Sequence, residues 1–192
     1  MPSTYTTRNG IELIATGEQS GAWGNTTNLN LQIIDRVLSG VGTIALSGTT
    51  HTLTTTDGTL SDGMYKVLVL GGSPSGTNTI TISPNSAQKL YFVYNNSGQS
   101  AVFTQGSGGN VTVANGDSKI IYADGDGATA AVSDLTANLA MSSVSITGGS
   151  VTGITDLAVA DGGTGASTAA GARTNLDVDQ AGTAVALAIA LG

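Results

Sequence analysis

The sequence predicts a mainly β protein with an N-terminal helix, a small antiparallel β-sandwich of jelly-roll type, and a C-terminal region that forms an intertwined trimeric fibre. Three observations predict it. Gly and Thr each number 28 and Ser 19 of 192 residues, and Gly stands at about twice its usual share of roughly 7%. Charged residues are only 10%, so this is not the charge-rich composition of a disordered chain. Short β-type runs recur at about the 8–12 residue spacing of all-β sandwiches and barrels.

Residues 1–40 form the first compositional zone. After a polar lead, the run Thr26–Leu38 carries Leu29, Ile33 and Val37 on one stripe and Leu31, Ile34 and Leu38 on a second. On a 3.6-residue wheel the stripes merge into one wide apolar face, which predicts a helix over 26–38. Asn25 or Thr26 is the expected N-cap, and Gly40 the expected left-handed stop. The face is wider than one contact needs. One edge should therefore pack on the chain's own β domain and the other on partners.

Residues 41–135 form the β zone. Its runs lie near Thr43–Leu46, Thr50–Thr55, Met64–Leu70, Asn78–Ile82, Leu90–Tyr94, Ala101–Thr104, Val111–Ala114, Ser118–Tyr122 and Thr129–Ser133. Asp57-Gly58, Asp62-Gly63, Gly71-Gly72, Ser75-Gly76, Asn115-Gly116 and similar pairs separate them, as tight turns require. The continuous apolar runs Lys66–Leu70 and Leu90–Tyr94 read as central strands covered on both faces.

Residues 136–192 are almost all small and contain no aromatic residue. The segment Val144–Thr155 repeats an apolar-polar dyad between glycines. Such a chain alone does not offset the roughly 1–2 kcal/mol per residue of backbone ordering. Copies must supply the missing partners, hence a trimeric shaft, with a flexible linker as the alternative. A short helix is expected over 167–176.

Composition excludes several functions. There is no Cys and a single His, and the net charge is −7 with six basic residues. A disulfide framework, a thiolate metal site and a phosphate-tracking nucleic-acid surface therefore do not fit. No apolar run reaches the roughly 20 residues of a membrane span. The start has no signal-peptide core, so synthesis in the cytoplasm is expected.

Two segments carry a resemblance. Asp161–Leu176, DGGTGASTAAGARTNL, resembles the GGTGA…AAxARxNL segment of bacteriophage tail fibres, and Thr16–Asn28, TGEQSGAWGNTTN, resembles the N-terminal stretch of phage fibre proteins. The resemblance covers about 16–40 and 142–176. It implies a homotrimeric virion component that anchors to tail, neck or baseplate proteins by its N-terminus and takes part in host attachment. Such fibres usually continue into a receptor-binding tip, whereas sixteen residues follow Leu176 here. The expectation is therefore a short tail fibre or a fibre-base adaptor that another protein extends. A head- or neck-attached fibre is the close alternative.

The candidate residues follow from these readings. Trp23, the only Trp, and Leu29, Leu31, Ile33, Ile34, Val37 and Leu38 are the expected attachment and assembly residues; Trp23 reads equally as a core or staple residue beside the cap. A carbohydrate-binding module contacting a host glycan is the alternative of a different class, with Tyr91 and Tyr94 as the sugar-contacting rings. His51 reads as a hydrogen-bonded strand histidine, although three copies on an axis would supply three ligands. Asp124-Gly125-Asp126-Gly127, with Asp117 nearby, reads as a hairpin turn because a calcium loop's terminal Glu is missing. Gly162–Gly165 lacks the Lys-Ser/Thr of a phosphate loop and reads as a turn into a helix. Aromatic platforms for glycoside cleavage are scarce, so no enzyme, cofactor or metal is expected.

Overall fold

The computed structural model describes residues 2–137, 163–178 and 183–192. The chain divides into two units, Met1–Ala140 and Met141–Gly192.

The first unit opens with a two-stranded arm, β1 (Thr4–Tyr5) and β2 (Glu12–Leu13), followed by helix α1 (Trp23–Ser39). Gly17 and Gly21, both in the TGxxSGxWG stretch, adopt φ of 81° and 80°, which a side chain rarely tolerates. They turn the chain so that the Ala22 and Trp23 amides donate to the Gln19 carbonyl, both at 2.9 Å. The helix starts three residues earlier than its apolar pattern suggests. Its cap position is Ala22, without a side-chain cap bond, rather than Asn25 or Thr26. Gly40 is extended (φ −67°, ψ 133°) and not left-handed, because the chain passes straight into a strand.

Seven strands follow in one sheet: β3 (Val41–Thr54), β4 (Val67–Ser83), β5 (Lys89–Asn95), β6 (Ala101–Thr104), β7 (Val111–Val113), β8 (Ser118–Ala123) and β9 (Val132–Asp134). The expected antiparallel jelly roll is corrected here. β4 runs parallel to β3 at Val67–Pro74 and again, after a register shift, at Thr79–Ser83, to β5 at Val67–Leu70 and to β6 at Asn78–Thr81. Within this sheet, among the described residues, the pairs β5–β8, β6–β7 and β8–β9 are antiparallel. The runs read as separate strands at 43–46 and 50–55, and at 64–70 and 78–82, are halves of two long strands. Gly71-Gly72 and Ser75-Gly76 bend β4 rather than ending it, and Asp57-Gly58 and Asp62-Gly63 lie in the connection that carries the chain back beside β3. The chain winds in successive turns, and the bent sheet nearly closes into a barrel.

Between the two halves of the sheet lies the core. Ile44, Leu46, Leu53, Leu68, Leu70, Ile80, Ile82, Tyr91, Val93, Phe103, Val113 and Ile121 are all inside. They occupy alternate positions, as period-2 pleating demands. β7 reaches across to β5, β8 and β9, and buried Asn95 secures the junction by donating to the Val113 and Gln99 carbonyls, each at 2.8 Å. Leu90–Tyr94 is covered on one face only, which corrects the expectation of two-sided burial: Tyr91 and Val93 are buried while Leu90, Phe92 and Tyr94 are exposed. In Lys66–Leu70, Leu68 and Leu70 are buried and Val67 and Val69 half-buried.

In the second unit, α2 (Ala169–Asn175) is capped by the Thr168 hydroxyl, which accepts from the Gly171 amide at 3.1 Å. Asn175 donates to the carbonyls of Thr164 and Gly165, both at 3.0 Å. The Asn of the AAxARxNL motif therefore closes the turn made by the GGTGA motif. α3 (Thr183–Leu191) follows. The dyad repeat at Val144–Thr155, and most of the expected shaft, lie outside the described residues. Among the described residues no helix is long and apolar enough to cross a membrane.

Candidate functional site

The two stripes of α1 have different fates. Ile33 is fully buried, and Leu29 and Val37 are half-buried beside it. Burying a side chain like Ile33 is worth about 1.5–3 kcal/mol, so this stripe holds the helix to the domain. Three polar ties fix its rotation. Asn30 exchanges two hydrogen bonds of 2.9 Å with the Glu12 backbone. Arg36 donates to the Ser61 carbonyl at 3.2 Å. Its guanidinium also sits 4.5 Å from the centroid of the Tyr65 ring. The second stripe points away: Leu31, Ile34 and Leu38 are 58%, 39% and 69% exposed. Trp23 is exposed as well, so it is neither a core nor a staple residue within this chain.

The outer face of the sheet continues this apolar surface. Val41 stands beside Val67, Val67 beside Phe92, and Phe92 beside Ile120. The next row holds Thr43, Val69, Tyr94 and Ser118. Val67, Phe92, Tyr94, Lys119, Ile120 and Thr136 enclose a shallow hollow of about 310 Å³. A second hollow of about 520 Å³, lined by Leu31, Arg36, Val41 and Tyr65, joins the helix stripe to the first strand. At the edge of the sheet, Lys119 pairs with Asp134 at 2.8 Å. Donation from Lys119, with help from Thr136, pulls the Asp134 carboxyl down to about 2.

The other half of the sheet is its chemical opposite. There the outward rows are Thr50–Thr79–Val102–Thr112 and Thr52–Thr81–Thr104. A threonine face is at ease in water, whereas a Val/Phe/Tyr/Ile face is not. The apolar half is the half into which α1 runs and from which β9 leaves.

The remaining candidates are placed as follows. Tyr91 is 1% exposed and donates its hydroxyl to the Gly63 carbonyl at 2.8 Å. Burial, and secondarily the Asp62 charge, raise its pKa. It cannot stack on a sugar, which corrects the pairing of Tyr91 with Tyr94. The ring beside Tyr94 on the outer face is Phe92. His51 meets the Asp62 carboxylate at 3.1 Å, a hydrogen-bonded strand histidine. Asp124 Oδ1 accepts from the Asp126 and Ala131 amides at 3.1 and 2.9 Å, so this carboxylate shapes the β8–β9 turn. The Gly163–Gly165 turn offers carbonyl acceptors to Asn175.

Sequence reasoning missed Phe92 as an outward residue and Lys89 as an inward one. Both follow from strand phase once Tyr91 and Val93 are placed inside. No family model, curated protein or solved structure matches the chain.

Proposed function

We propose that this protein is a structural virion component, a homotrimeric tail fibre or fibre-base adaptor that anchors by its N-terminal segment and takes part in host attachment. The observation that carries this reading is the exposed apolar surface formed by Leu31, Ile34 and Leu38 of α1 and by Val41, Phe92 and Tyr94 of the sheet, with half-buried Val67 and Ile120 among them. A free-standing chain gains nothing by presenting such a surface while facing its other half with threonine. α3 adds a second case: Val185, Leu187, Ile189 and Leu191 are 59–79% exposed. A helix apolar on all sides calls for cover. Three-fold closure supplies cover without leaving open sheet edges. The fibre-like GGTGA and TGxxSGxWG segments support the same reading.

Light scattering on the full chain tests it, with an expected mass about three times 18.9 kDa. A monodisperse monomer at micromolar concentration overturns the trimer. Deleting residues 1–24 should leave the β domain folded and remove the protein from assembled particles; particles that retain it place the attachment elsewhere.

One observation favours glycan contact as a second reading. Phe92 and Tyr94 present two exposed rings beside Lys119 and Thr136 in one hollow, and ring faces stack on sugars. Micromolar binding of the full chain on a glycan array, lost in Tyr94→Ala, would support it.

A further inference from the structure

The chain has thirteen acidic and six basic residues, yet three of the six basic ones line a single cleft. This cleft, about 170 Å³, lies between the β1–β2 arm and the start of β5 and is bordered by Arg8, Asn9, Lys66, Gln88 and Lys89. Among the described residues no carboxylate lines it. Lys89 is 7% exposed. Its ammonium carries three donors, and one reaches Asn9 Oδ1 at 3.1 Å. Burial alone lowers its pKa to about 8, with no acidic group contributing. A buried ammonium held by one neutral oxygen is unfavourable, and an anion is the partner that relieves it.

Arg8 stands at the rim. It donates Nε to Gln88 Oε1 at 2.7 Å, and its terminal guanidinium nitrogens have no hydrogen-bond partner among the described residues. Lys66 borders the cleft, but its ammonium sits 5.9 Å from the centroid of the outward-facing Phe92 ring, so Lys89 and Arg8 are the charged donors of the cleft. Arg8, Asn9 and Gln88 also border a wider polar hollow of about 560 Å³ with Thr6, Thr7 and Ser86, which gives a hydrated ligand a way in.

We propose that this cleft binds a tetrahedral oxyanion, a phosphate or sulfate group, with Lys89 as the buried charged donor and Arg8 as the fork at the entrance. Donors that approach from two elements suit an anion with several oxygens better than a monatomic ion. The proposal is independent of trimer formation.

The test is thermal unfolding and calorimetric titration of the full chain at pH 7 with sodium phosphate, sodium sulfate and, at matched ionic strength, sodium chloride. Phosphate and sulfate should raise the unfolding temperature where chloride does not. Lys89→Met keeps the volume, removes a buried charge and should lower phosphate affinity by at least about tenfold, the worth of one charge-assisted hydrogen bond. Arg8→Gln alters an exposed residue and should weaken binding without touching the fold. Glucose 1-phosphate separates the sources: tighter binding than inorganic phosphate assigns a group carried on a larger molecule, and equal or weaker binding assigns the free ion. The site is overturned if neither oxyanion exceeds chloride, or if Lys89→Met and Arg8→Gln both keep the wild-type affinity.

Discussion

Lys89 shows how one residue's environment becomes a measurable property of the whole fold. It begins β5 in phase with buried Tyr91 and Val93, so pleating sends an ammonium inward. Its pKa is about 8 in the folded chain against an ordinary 10.5. Between those values the unfolded chain holds more protons than the folded one, so stability rises with pH. In phosphate-free buffer, unfolding by denaturant should show a gain of about 2 kcal/mol between pH 8 and 10. Above pH 10 the raised pKa of Tyr91 opposes it, because the folded chain then keeps a proton the unfolded chain releases. Lys89→Met should abolish the rise; a wild-type slope in that variant would mean other groups cause it. Asp134 gives the acid-side counterpart. Its carboxyl is held near 2, so its contribution is full above the ordinary carboxyl range and is lost as pH falls from about 4 to 2. The pair lies near the surface, and Lys119→Met should therefore cost only about 0.2–1 kcal/mol at pH 7. The same substitution should return the Asp134 titration, followed by NMR, toward 3.8; a midpoint that stays near 2 would show that Thr136 alone sets it.

Among the elements, β4 carries the topology, and its central bend is a specific test of it. Gly72 has φ +91°, and a Cβ there would lie 2.3 Å from the Leu46 carbonyl oxygen of the neighbouring parallel strand. Gly71 beside it has open space. Gly72→Ala should destabilise the domain by about 2–4 kcal/mol, combining left-handed strain with overpacking against β3. Gly71→Ala should cost about 1 kcal/mol or less. Equal effects would show that β3 and β4 do not pair in this register. The same strand shows what was legible in the sequence. The β-type runs Asn78–Ile82 and Val111–Ala114 located strands, and the stripes of Leu29–Leu38 located the helix. Strand direction was not legible, because a period of two is the same for parallel and antiparallel neighbours. A glycine pair likewise marks a bend within a long strand as readily as a hairpin between two short ones. The Leu90–Tyr94 run read as doubly buried because an uncovered apolar face has the same sequence signature as a covered one.

At the scale of the whole molecule, the division of labour across α1 is the sharpest consequence of the structure. Ile33 and Ile34 are adjacent in sequence, identical in chemistry and opposite in environment: the first is 0% exposed, the second 39%. An aspartate at 33 places an unpaired carboxylate between helix and sheet, which is strongly unfavourable. Ile33→Asp should therefore unfold α1 from the domain and lower thermal stability, with a loss of about 3 kcal/mol or more. An aspartate at 34 stays in water in the isolated chain, so Ile34→Asp should keep the β spectrum and nearly all of its thermal stability. Its effect should appear only in assembly, because trimerisation would carry that carboxylate into an apolar contact. Sedimentation at micromolar concentration should then show a folded monomer for Ile34→Asp where the parent chain shows a trimer. A trimer of undiminished stability in Ile34→Asp would place the outer stripe of the helix in solvent and leave the sheet face around Phe92 to hold the copies together. Phe92→Asp is the matching test of that face, and a monomer from either variant with an intact β spectrum would locate the assembly surface on this side of the molecule.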